Sequence, residues 1–349
     1  MLLFIKRLGD FMTVLWNFED LIKEYSNYSK SLLLGNGFSI ACNNVFSYDS
    51  ILQKSSFCNS DLFCNTSDYE KVIEDLNFKK EVYQLAYGEY EIAQSYENLS
   101  NKLKWNLITT LTNIQSKVYT SDKDNHNTFL FLSNFSNIFT LNYDLLLYWV
   151  IIYGVRLYQN NNDDYKNLVN YNNFYPRDGF DRHENGDDCI WCLDKWKQNI
   201  YYLHGGLHLF YDIKNTYKLT YNDNNNQTII DKTRYWLELG TSPLVIAEGN
   251  SDDKLKWIRG NHYLNYCYEQ LFQIQGVLFI HGHSLDNKDK HIFDAINANL
   301  NIKAVYISIF DPITNKENMR QKANKLFSER IKNKSLVVDF YDAASVNIW

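Results

Sequence analysis

Short apolar segments recur along the chain, and longer segments with apolar residues at helical spacing lie between them. The apolar segments have the length of strands and are rich in β-branched residues. Strands buried on both faces of a parallel sheet have such continuous apolar sequences. The alternation therefore predicts an α/β fold with a doubly wound, mostly parallel sheet. The predicted strands are Leu32–Leu34, Ile138–Phe139, Ile200–Leu203, Leu244–Ala247, Val277–His281, Ala304–Ile309 and Leu336–Phe340.

The helical segments lie mainly between these strands. From Asp68 to Lys117, charged and apolar residues alternate at helical spacing, which predicts two or three helices. This block either packs beside the sheet or forms a lid over a pocket. Further helices are predicted at Trp16–Tyr25, Leu255–Gln273, Asp289–Leu300 and Lys316–Lys332.

The domain organisation follows from these segments. We assign residues 1–30 to an N-terminal helical segment and residues 31–349 to the α/β domain. The domain carries a helical insertion at 68–120 and an irregular insertion at 158–200, where Asn and Asp are dense and turns are frequent. Met12 precedes the first predicted helix, so residues 1–11 could come from an upstream start site.

Composition and charge exclude several classes of protein. A hydrophobic content of 45% excludes wholesale disorder, and a net charge of -6 gives no electrostatic footprint for nucleic acid. No apolar stretch approaches the ~20 residues that cross a membrane. Lys6, Arg7 and Asp10 interrupt the first apolar stretch, which makes an unconvincing signal peptide. Six scattered cysteines fit a reducing compartment, so we expect a cytoplasmic protein.

A glycine turn follows the first predicted strand at Gly35-Asn36-Gly37. Glycine lets the backbone turn sharply and approach a ligand closely. The amides of Phe38, Ser39 and Ile40, which open the next helix, would then face a diphosphate. A plain strand-to-helix turn would show the same residues, so this motif alone does not decide between the two.

Polar residues follow the second predicted strand at Thr140, Asn142 and Asp144. Ligands of open parallel sheets bind at the carboxyl ends of the strands, where these residues lie. Asn142 and Asp144 could equally cap the helix that begins near Leu145.

His204 comes directly after the apolar strand segment Ile200–Leu203, and two glycines follow it. A histidine in this position could act as a general base, because its ordinary pKa lies near neutrality. A hydrogen-bonded structural histidine is the alternative. Asp286, Asp289 and His291 either cap a helix or contact a ligand, and Glu248 could be a ligand contact or a loop carboxylate.

Cys189 and Cys192 have the spacing of half a zinc site. A tetrahedral zinc needs two more ligands, and no second Cys-x-x-Cys pair follows. His183 is near in sequence, but Cys58 and Cys64 are too widely spaced to make the usual pair. Two ordinary thiols explain the pair better, so we predict no metal site.

Taken together and in order, four motifs resemble those of sirtuin-like proteins, in particular the bacterial sirtuin-like NAD hydrolases of antiphage defence. They are Gly35-Asn36-Gly37-Phe38-Ser39, Thr140-Leu141-Asn142-Tyr143-Asp144, His204-Gly205 and Gly282-His283-Ser284-Leu285. The segment Pro243–Gly249, with Lys254-Leu255 and Tyr263-Leu264 behind it, resembles a sub-branch of that superfamily described only as a domain of unknown function. The resemblance spans roughly Leu32 to Asp294.

The resemblance implies a Rossmann-like sheet with NAD across the carboxyl ends of its strands. Gly35, Asn36, Gly37 and Ser39 would cradle the diphosphate, and Gly282 and Ser284 would meet the adenosine side. Asn142 and Asp144, with Thr140 beside them, fall near the nicotinamide ribose, and His204 falls on the catalytic histidine. NAD would be the substrate, with no further cofactor.

The implied reaction is cleavage of the bond between nicotinamide and ribose. Nicotinamide leaves as a neutral molecule, so the transition state resembles an oxocarbenium ion and little acid catalysis is needed. The protein must position a water, supply a base and direct dipoles at the developing charge. His204 suits the base, Asn142 can hold the water or ribose, and Asp144 can stabilise the cation.

Departures from the family pattern limit the prediction. The chain has one Cys-x-x-Cys pair, and it precedes His204, so protein deacylation is not expected. Asn36 and His283 replace small residues, and the altered pocket could prefer a related nucleotide. A nucleotide-binding sensor or scaffold without turnover is the alternative function. The sequence leaves open whether the protein needs an activating trigger, forms a homo-oligomer or binds a regulatory protein.

Overall fold

The computed structural model describes residues 15–159, 174–182, 188–192, 198–220 and 228–349. Ten strands lie within these ranges. They are β1 (Lys30–Leu34), β2 (Asn137–Thr140), β3 (Phe180–Arg182), β4 (Cys189–Trp191), β5 (Ile200–Tyr202), β6 (Leu209–Tyr211), β7 (Thr216–Lys218), β8 (Gly276–His281), β9 (Ile302–Ile309) and β10 (Val337–Asp342).

The α-helices of the described residues surround these strands. They are α1 (Phe18–Glu24), α2 (Gly37–Cys42), α3 (Tyr48–Gln53), α4 (Tyr69–Val82), α5 (Tyr90–Gln115), α6 (Asp122–Leu132), α7 (Leu146–Gln159), α8 (Ile229–Glu238), α9 (Ser251–Gly260), α10 (His262–Glu269), α11 (Lys290–Ala298), α12 (Pro312–Leu326) and α13 (Ser328–Lys332). None of these helices is both long and apolar enough to cross a lipid bilayer.

The central sheet has six strands in the order β10-β9-β8-β1-β2-β5, and every neighbouring pair is parallel. Numbered along the chain, this order is 6-5-4-1-2-3, which is the strand order of Rossmann-like folds. The predicted α/β class and the doubly wound, mostly parallel sheet are therefore confirmed. The strand order reverses between β1 and β8, and ligands of such sheets bind at that point.

The register of the sheet brings the ends of four strands level. Leu34, the last residue of β1, pairs with Thr140 of β2 and with His281 of β8. Thr140 in turn pairs with Tyr202 of β5. The loops that follow these strands therefore lie side by side at one edge of the sheet.

Apolar residues on both faces of the sheet form the core. Leu32, Leu33 and Leu34 are fully buried, as a central parallel strand requires. Helix α1, close to the predicted Trp16–Tyr25, joins this core because the Phe18 ring packs on Phe279 with centroids 5.9 Å apart.

The predicted helical insertion contains two long helices, α4 and α5. Asp68 caps α4 by accepting a hydrogen bond from the amide of Glu70. A π-helical turn at Tyr83–Tyr87 and Gly88 join the two helices, and Gly88 has a left-handed φ of 69°. We predicted two or three helices between Asp68 and Lys117, and the structure has two long ones there.

Three predicted elements differ from the structure. Leu244–Ala247 forms a single bridge, between Val245 and Gly205, and is not a strand of either sheet. The amides of Leu244 and Ile246 donate to the carbonyl oxygens of Leu209 and His204. Leu255–Gln273 is interrupted at Asn261, whose side chain caps α10. Lys316–Lys332 is divided at Phe327 into α12 and α13.

A second, antiparallel sheet in the order β3-β4-β7-β6 was not predicted. Strands β3 and β4 fall inside the segment 158–200 that we predicted to be irregular, which corrects that prediction for these residues. Strands of three residues are too short to show a period, and β5 was predicted only because it belongs to the continuous apolar segment Ile200–Leu203. The remainder of that segment at 160–173, 183–187 and 193–197, with His183, lies outside the described residues.

Candidate functional site

A cavity of about 360 Å³ lies at the carboxyl edge of the sheet, where the strand order reverses. Eight of the ten predicted site residues line it. They are Gly35, Asn36, Gly37, Asn142, Asp144, His204, Gly282 and Ser284. Ser39 and Thr140 are buried behind this lining, and the Thr140 hydroxyl accepts a hydrogen bond from the amide of Asn142. The sheet register thus brings together residues far apart in sequence.

The glycines allow the loops after β1 and β8 to touch. The Gly37 amide donates to the Gly282 carbonyl oxygen over 2.7 Å, and a Cβ on Gly37 would lie 2.7 Å from the Gly282 Cα. Gly282 has a φ of 71°, and a Cβ there would lie 2.5 Å from the Phe38 nitrogen. Only glycine fits at these contacts.

The amides that we expected to face a diphosphate have partners within the chain. The amide of Phe38 donates to Gly35, and those of Ser39 and Ile40 donate to Asn36. The Asn36 side chain is also engaged, because its amide nitrogen donates to the carbonyl oxygen of Phe46. In this structure the polar groups of the turn are therefore hydrogen-bonded within the chain and not directed at a ligand.

Asn142, Ser39 and Asp144 form a hydrogen-bonded chain. Asn142 donates through Nδ2 to the Gly35 carbonyl oxygen and to the Ser39 hydroxyl, at 3.1 and 3.0 Å. These two bonds use both Nδ2 protons, so Oδ1 is the group of Asn142 that a ligand could use. The Ser39 hydroxyl donates to Asp144 Oδ2 over 2.5 Å.

Asp144 has two roles in the structure. It lines the cavity, and its Oδ1 accepts a hydrogen bond from the amide of Leu146 at the start of α7. The capping role that the sequence left open is therefore present. Burial raises the pKa of the Asp144 carboxyl, although the hydrogen bond from Ser39 acts in the opposite direction.

His204 follows β5 and is 1% exposed. Its Nε2 lies 3.3 Å from Nε2 of His291 and 3.9 Å from Oδ1 of Asp289. Burial, and after it the nearby Lys254 ammonium, holds the pKa of His204 well below its ordinary value, while Asp289 opposes this effect. His204 is therefore neutral near pH 7 and has a lone pair that can accept a proton.

A buried ion-pair network lies at the other side of the cavity, where Glu70 and Asp289 line it and Lys254 joins them from outside the lining. Lys254 Nζ lies 2.8 Å from Oε2 of Glu70 and 2.8 Å from Oδ1 of Asp289. Lys254 is 1% exposed. Burial lowers the pKa of its ammonium, but the two carboxylates raise it to a net value above the ordinary one. Each charge in this network compensates another that water cannot reach.

His283 belongs to the same network. Its Nδ1 accepts a hydrogen bond from the amide of Leu285, so a neutral ring carries its proton on Nε2, which lies 3.1 Å from Asp289 Oδ2. Burial alone would raise the pKa of the Asp289 carboxyl, but Lys254 and the His283 hydrogen bond hold it well below its ordinary value. Asp289 occupies the N-cap position of α11 and makes no capping bond there.

The helical insertion completes the cavity wall. Leu107 and Leu111 of α5 line the cavity with Glu70 of α4. Lys288 Nζ, in the loop before α11, lies 2.6 Å from Oδ2 of Asp68 at the start of α4. The insertion therefore covers part of the cavity as well as packing beside the sheet.

Comparison with known protein families shows a match over most of the chain. A family described as a domain of unknown function, DUF4917, matches residues 32–349. The chain belongs to the DUF4917 family. No curated protein matches the sequence significantly.

The DUF4917 match confirms the part of our prediction that placed the chain in a domain of unknown function. It covers every residue that lines the cavity. The sirtuin-like relationship stays a prediction, because the family description gives no activity.

Sequence reasoning assigned no site role to Glu70 or Lys254 of this DUF4917 domain, whereas it named Asp289 as either a helix cap or a ligand contact. Glu70 lies in a helix with several exposed glutamates, and its sequence context does not distinguish it. Lys254 carried a signal, because it lies four residues before the buried Ile258 on α9. A charged residue at a core position of a helix indicates a buried partner.

The cysteine pair of this DUF4917 domain lies away from the cavity. Cys189 is buried on β4, Cys192 follows that strand, and neither forms a disulfide with another cysteine of the described residues. In the described part of the chain, no three His, Cys, Asp or Glu residues are grouped so that they could hold a metal ion.

Proposed function

We propose that this protein hydrolyses NAD+ at the bond between nicotinamide and ribose, as a sirtuin-like NAD hydrolase. The observation that supports this proposal best is that a neutral, buried His204 and Asn142 line the same cavity, at the reversal point of a Rossmann-like sheet. Pure nucleotide binding gives no chemical reason for a buried basic nitrogen at that point.

The proposed roles follow from the available atoms. His204 would accept a proton from a ribose hydroxyl or from the attacking water. Asn142 Oδ1 would accept a hydrogen bond from the same hydroxyl or water, because its Nδ2 protons are already used. The carboxylates of Asp289 and Glu70 supply negative charge that would favour the oxocarbenium-like transition state. Asp144 would act mainly by holding Ser39 and the start of α7.

The glycine loops would receive the diphosphate. Gly35, Gly37 and Gly282 leave no Cβ between the ligand and the backbone, and Ser284 lines the same cavity. The amides of the turn would have to exchange their internal partners for phosphate oxygens. Ser39 and Thr140 would support the loops from behind instead of touching NAD.

A nucleotide-binding sensor without turnover is the second candidate. The observation that favours it is the internal pairing of the site, in which the turn amides and the Lys254 ammonium all have partners. An enzyme that is inactive until it receives a trigger would show the same internal hydrogen bonds and ion pairs. A role in bacterial antiphage defence by NAD depletion rests on the sequence resemblance alone.

The test is incubation of the purified protein with NAD+, followed by chromatography of nicotinamide and ADP-ribose. We expect wild type to release both and Asn142→Ala and His204→Ala to lose about 10²-fold or more of the rate. His262→Ala, an exposed histidine at the start of α10, is the matched control and should keep the wild-type rate.

Thermal unfolding with and without NAD+ separates the two candidates. A rise in melting temperature without release of nicotinamide would favour the sensor or an enzyme that awaits a trigger. Absence of both release and binding would contradict the NAD assignment. Equal release by wild type and His204→Ala would contradict the role of His204.

A further inference from the structure

We propose that His204, His291 and Ser251 form a proton relay from the cavity to the protein surface. The inference rests on the proposed function, because the proton concerned is the one that His204 would remove from a ribose hydroxyl or from water. His291 and Ser251 would act through His204 without touching the substrate.

The relay is continuous in the structure. Nε2 of His204 lies 3.3 Å from Nε2 of His291, and Nδ1 of His291 lies 3.0 Å from the Ser251 hydroxyl oxygen. The same hydroxyl oxygen accepts a hydrogen bond from the His291 amide over 2.7 Å, which fixes it in place. His204 and His291 are buried, whereas Ser251, at the start of α9, is partly exposed.

The facing nitrogens determine which atom of His204 can act as the base. A hydrogen bond between two Nε2 atoms needs one proton between them. Because Nε2 of His204 faces His291, Nδ1 is the nitrogen that a ligand can use. For Nδ1 to be unprotonated, Nε2 must carry the shared proton, and His291 then carries its own proton on Nδ1, directed at Ser251.

One proton enters the relay and one leaves it. His204 Nδ1 takes a proton from the ligand oxygen, and its Nε2 proton moves to Nε2 of His291. The Nδ1 proton of His291 moves to the Ser251 oxygen, and the original hydroxyl proton of Ser251 passes to bulk water. The rings stay neutral at the end of the sequence, and the Ser251 hydroxyl then donates to His291 Nδ1.

The environment explains why a relay is needed. Burial, and then Lys254, disfavour the charged form of His204, and burial lowers the pKa of His291 to about 4. A base that cannot hold a positive charge must pass its proton on. The titratable groups near the two rings include the Tyr143 ring beside His204 and the Tyr268 ring beside His291. The charged groups and the further histidine that act on them are Asp289, Lys254, His283, Glu70 and Asp294.

Kinetics of NAD+ cleavage test the relay. His291→Phe keeps an aromatic ring without nitrogens, and we expect it to lower kcat about 10-fold or more while KM stays unchanged. Ser251→Ala should lower kcat in the same way. Tyr268→Phe is the matched control, because the Tyr268 hydroxyl bonds the His291 carbonyl oxygen outside the relay.

Chemical rescue separates proton transfer from packing. Imidazole in solution should restore turnover to His291→Ala, which leaves space for it, and not to His291→Phe. A purely structural role would give no rescue. Wild-type turnover by His291→Phe, or loss of turnover that imidazole never restores in His291→Ala, would overturn the relay.

Nitrogen-15 NMR of the histidine rings tests the relay independently of NAD+ cleavage. At pH 7 we expect both rings to be neutral, with one proton shared between the two Nε2 atoms. Protons on both Nε2 atoms, or on neither, would overturn the relay. A shared proton in a wild-type protein that releases no nicotinamide would support the hydrogen-bonded relay and contradict the proposed function.

Discussion

The cavity has a glycine wall, formed by Gly35, Gly37 and Gly282. It also has a charged wall, formed by Glu70 and Asp289 together with Lys254, which does not line the cavity itself and pairs with both carboxylates. Backbone hydrogen bonds between two neighbouring strand ends hold the glycine wall. Ion pairs between elements far apart in sequence hold the charged wall. The stability of the glycine wall therefore depends on the absence of side-chain volume at the loop contact. The stability of the charged wall depends on the balance between its buried positive and negative charges.

The largest effect should come from removing the cation of the charged wall. Lys254→Met keeps most of the side-chain volume but removes the ammonium that Glu70 and Asp289 share. Glu70 then keeps Lys288 as a nearby cation, at 3.4 Å. Asp289 keeps the His283 ring as a nearby partner, at 3.1 Å. We expect the free energy of unfolding to fall by about 3 to 5 kcal/mol, which denaturant titration would measure.

Lys256 on the same helix is the control for this prediction. It pairs with Asp253 at 2.8 Å, but 76% of its side chain is exposed. Lys256→Met should therefore change stability far less than Lys254→Met. Similar losses in the two variants would show that the charged wall contributes no special stability.

A second effect should appear as the pH falls. Unfolded histidine binds a proton near its ordinary pKa of 6.5, whereas folded His291 has a pKa of about 4. Acid therefore favours the unfolded state, and stability falls from about pH 7 to pH 4 by about 3 kcal/mol for one such site. The lowered pKa of His204 acts in the same direction.

The pH effect can be assigned by removing one histidine. His291→Phe should make the plot of unfolding free energy against pH less steep between 4 and 7, while the lowered pKa values of His204, His208 and His281 keep part of the slope. Tyr268→Phe removes no group that titrates in this range, so its plot should run parallel to wild type. A wild-type slope in His291→Phe would refute the assignment.

The smallest of these effects concerns the glycine wall. Gly282→Ala combines a left-handed φ with a contact of 2.5 Å to the Phe38 nitrogen, and we expect a loss of about 2 to 3 kcal/mol. Gly88→Ala has almost the same φ and no atom within 4 Å, so backbone strain alone should cost about 1 to 2 kcal/mol. Thermal or denaturant unfolding of both variants measures the difference, and equal losses would show that the loop contact is unimportant.

Sequence alone predicted the parts of the molecule that repeat a local pattern. The strands and glycine turns were recognisable because each is a short apolar segment followed by characteristic residues, as at Leu32 to Gly37. Their convergence at one edge then follows from parallel pairing. His204 and Asn142 were found in this way, and both line the cavity.

Asp289 was named from the sequence as a possible ligand contact, but the ion pairs of the charged wall could not be predicted, because tertiary packing alone brings their members together. Glu70 and Lys254 are separated by 184 positions and meet through a helical insertion whose placement no local pattern gives. The pairing of His204 with His291 has the same origin. The three-residue strands of the second sheet were missed for a different reason, since they are too short to show a period.

The central position of β1 also has a consequence for synthesis of the chain. Its partners begin at Asn137 and Gly276, so β1 leaves the ribosome long before either can pair with it. Leu32, Leu33 and Leu34 would meanwhile present an apolar strand with two open edges. Nascent chains should therefore aggregate or bind chaperones until β8 has emerged, and folding should be slow.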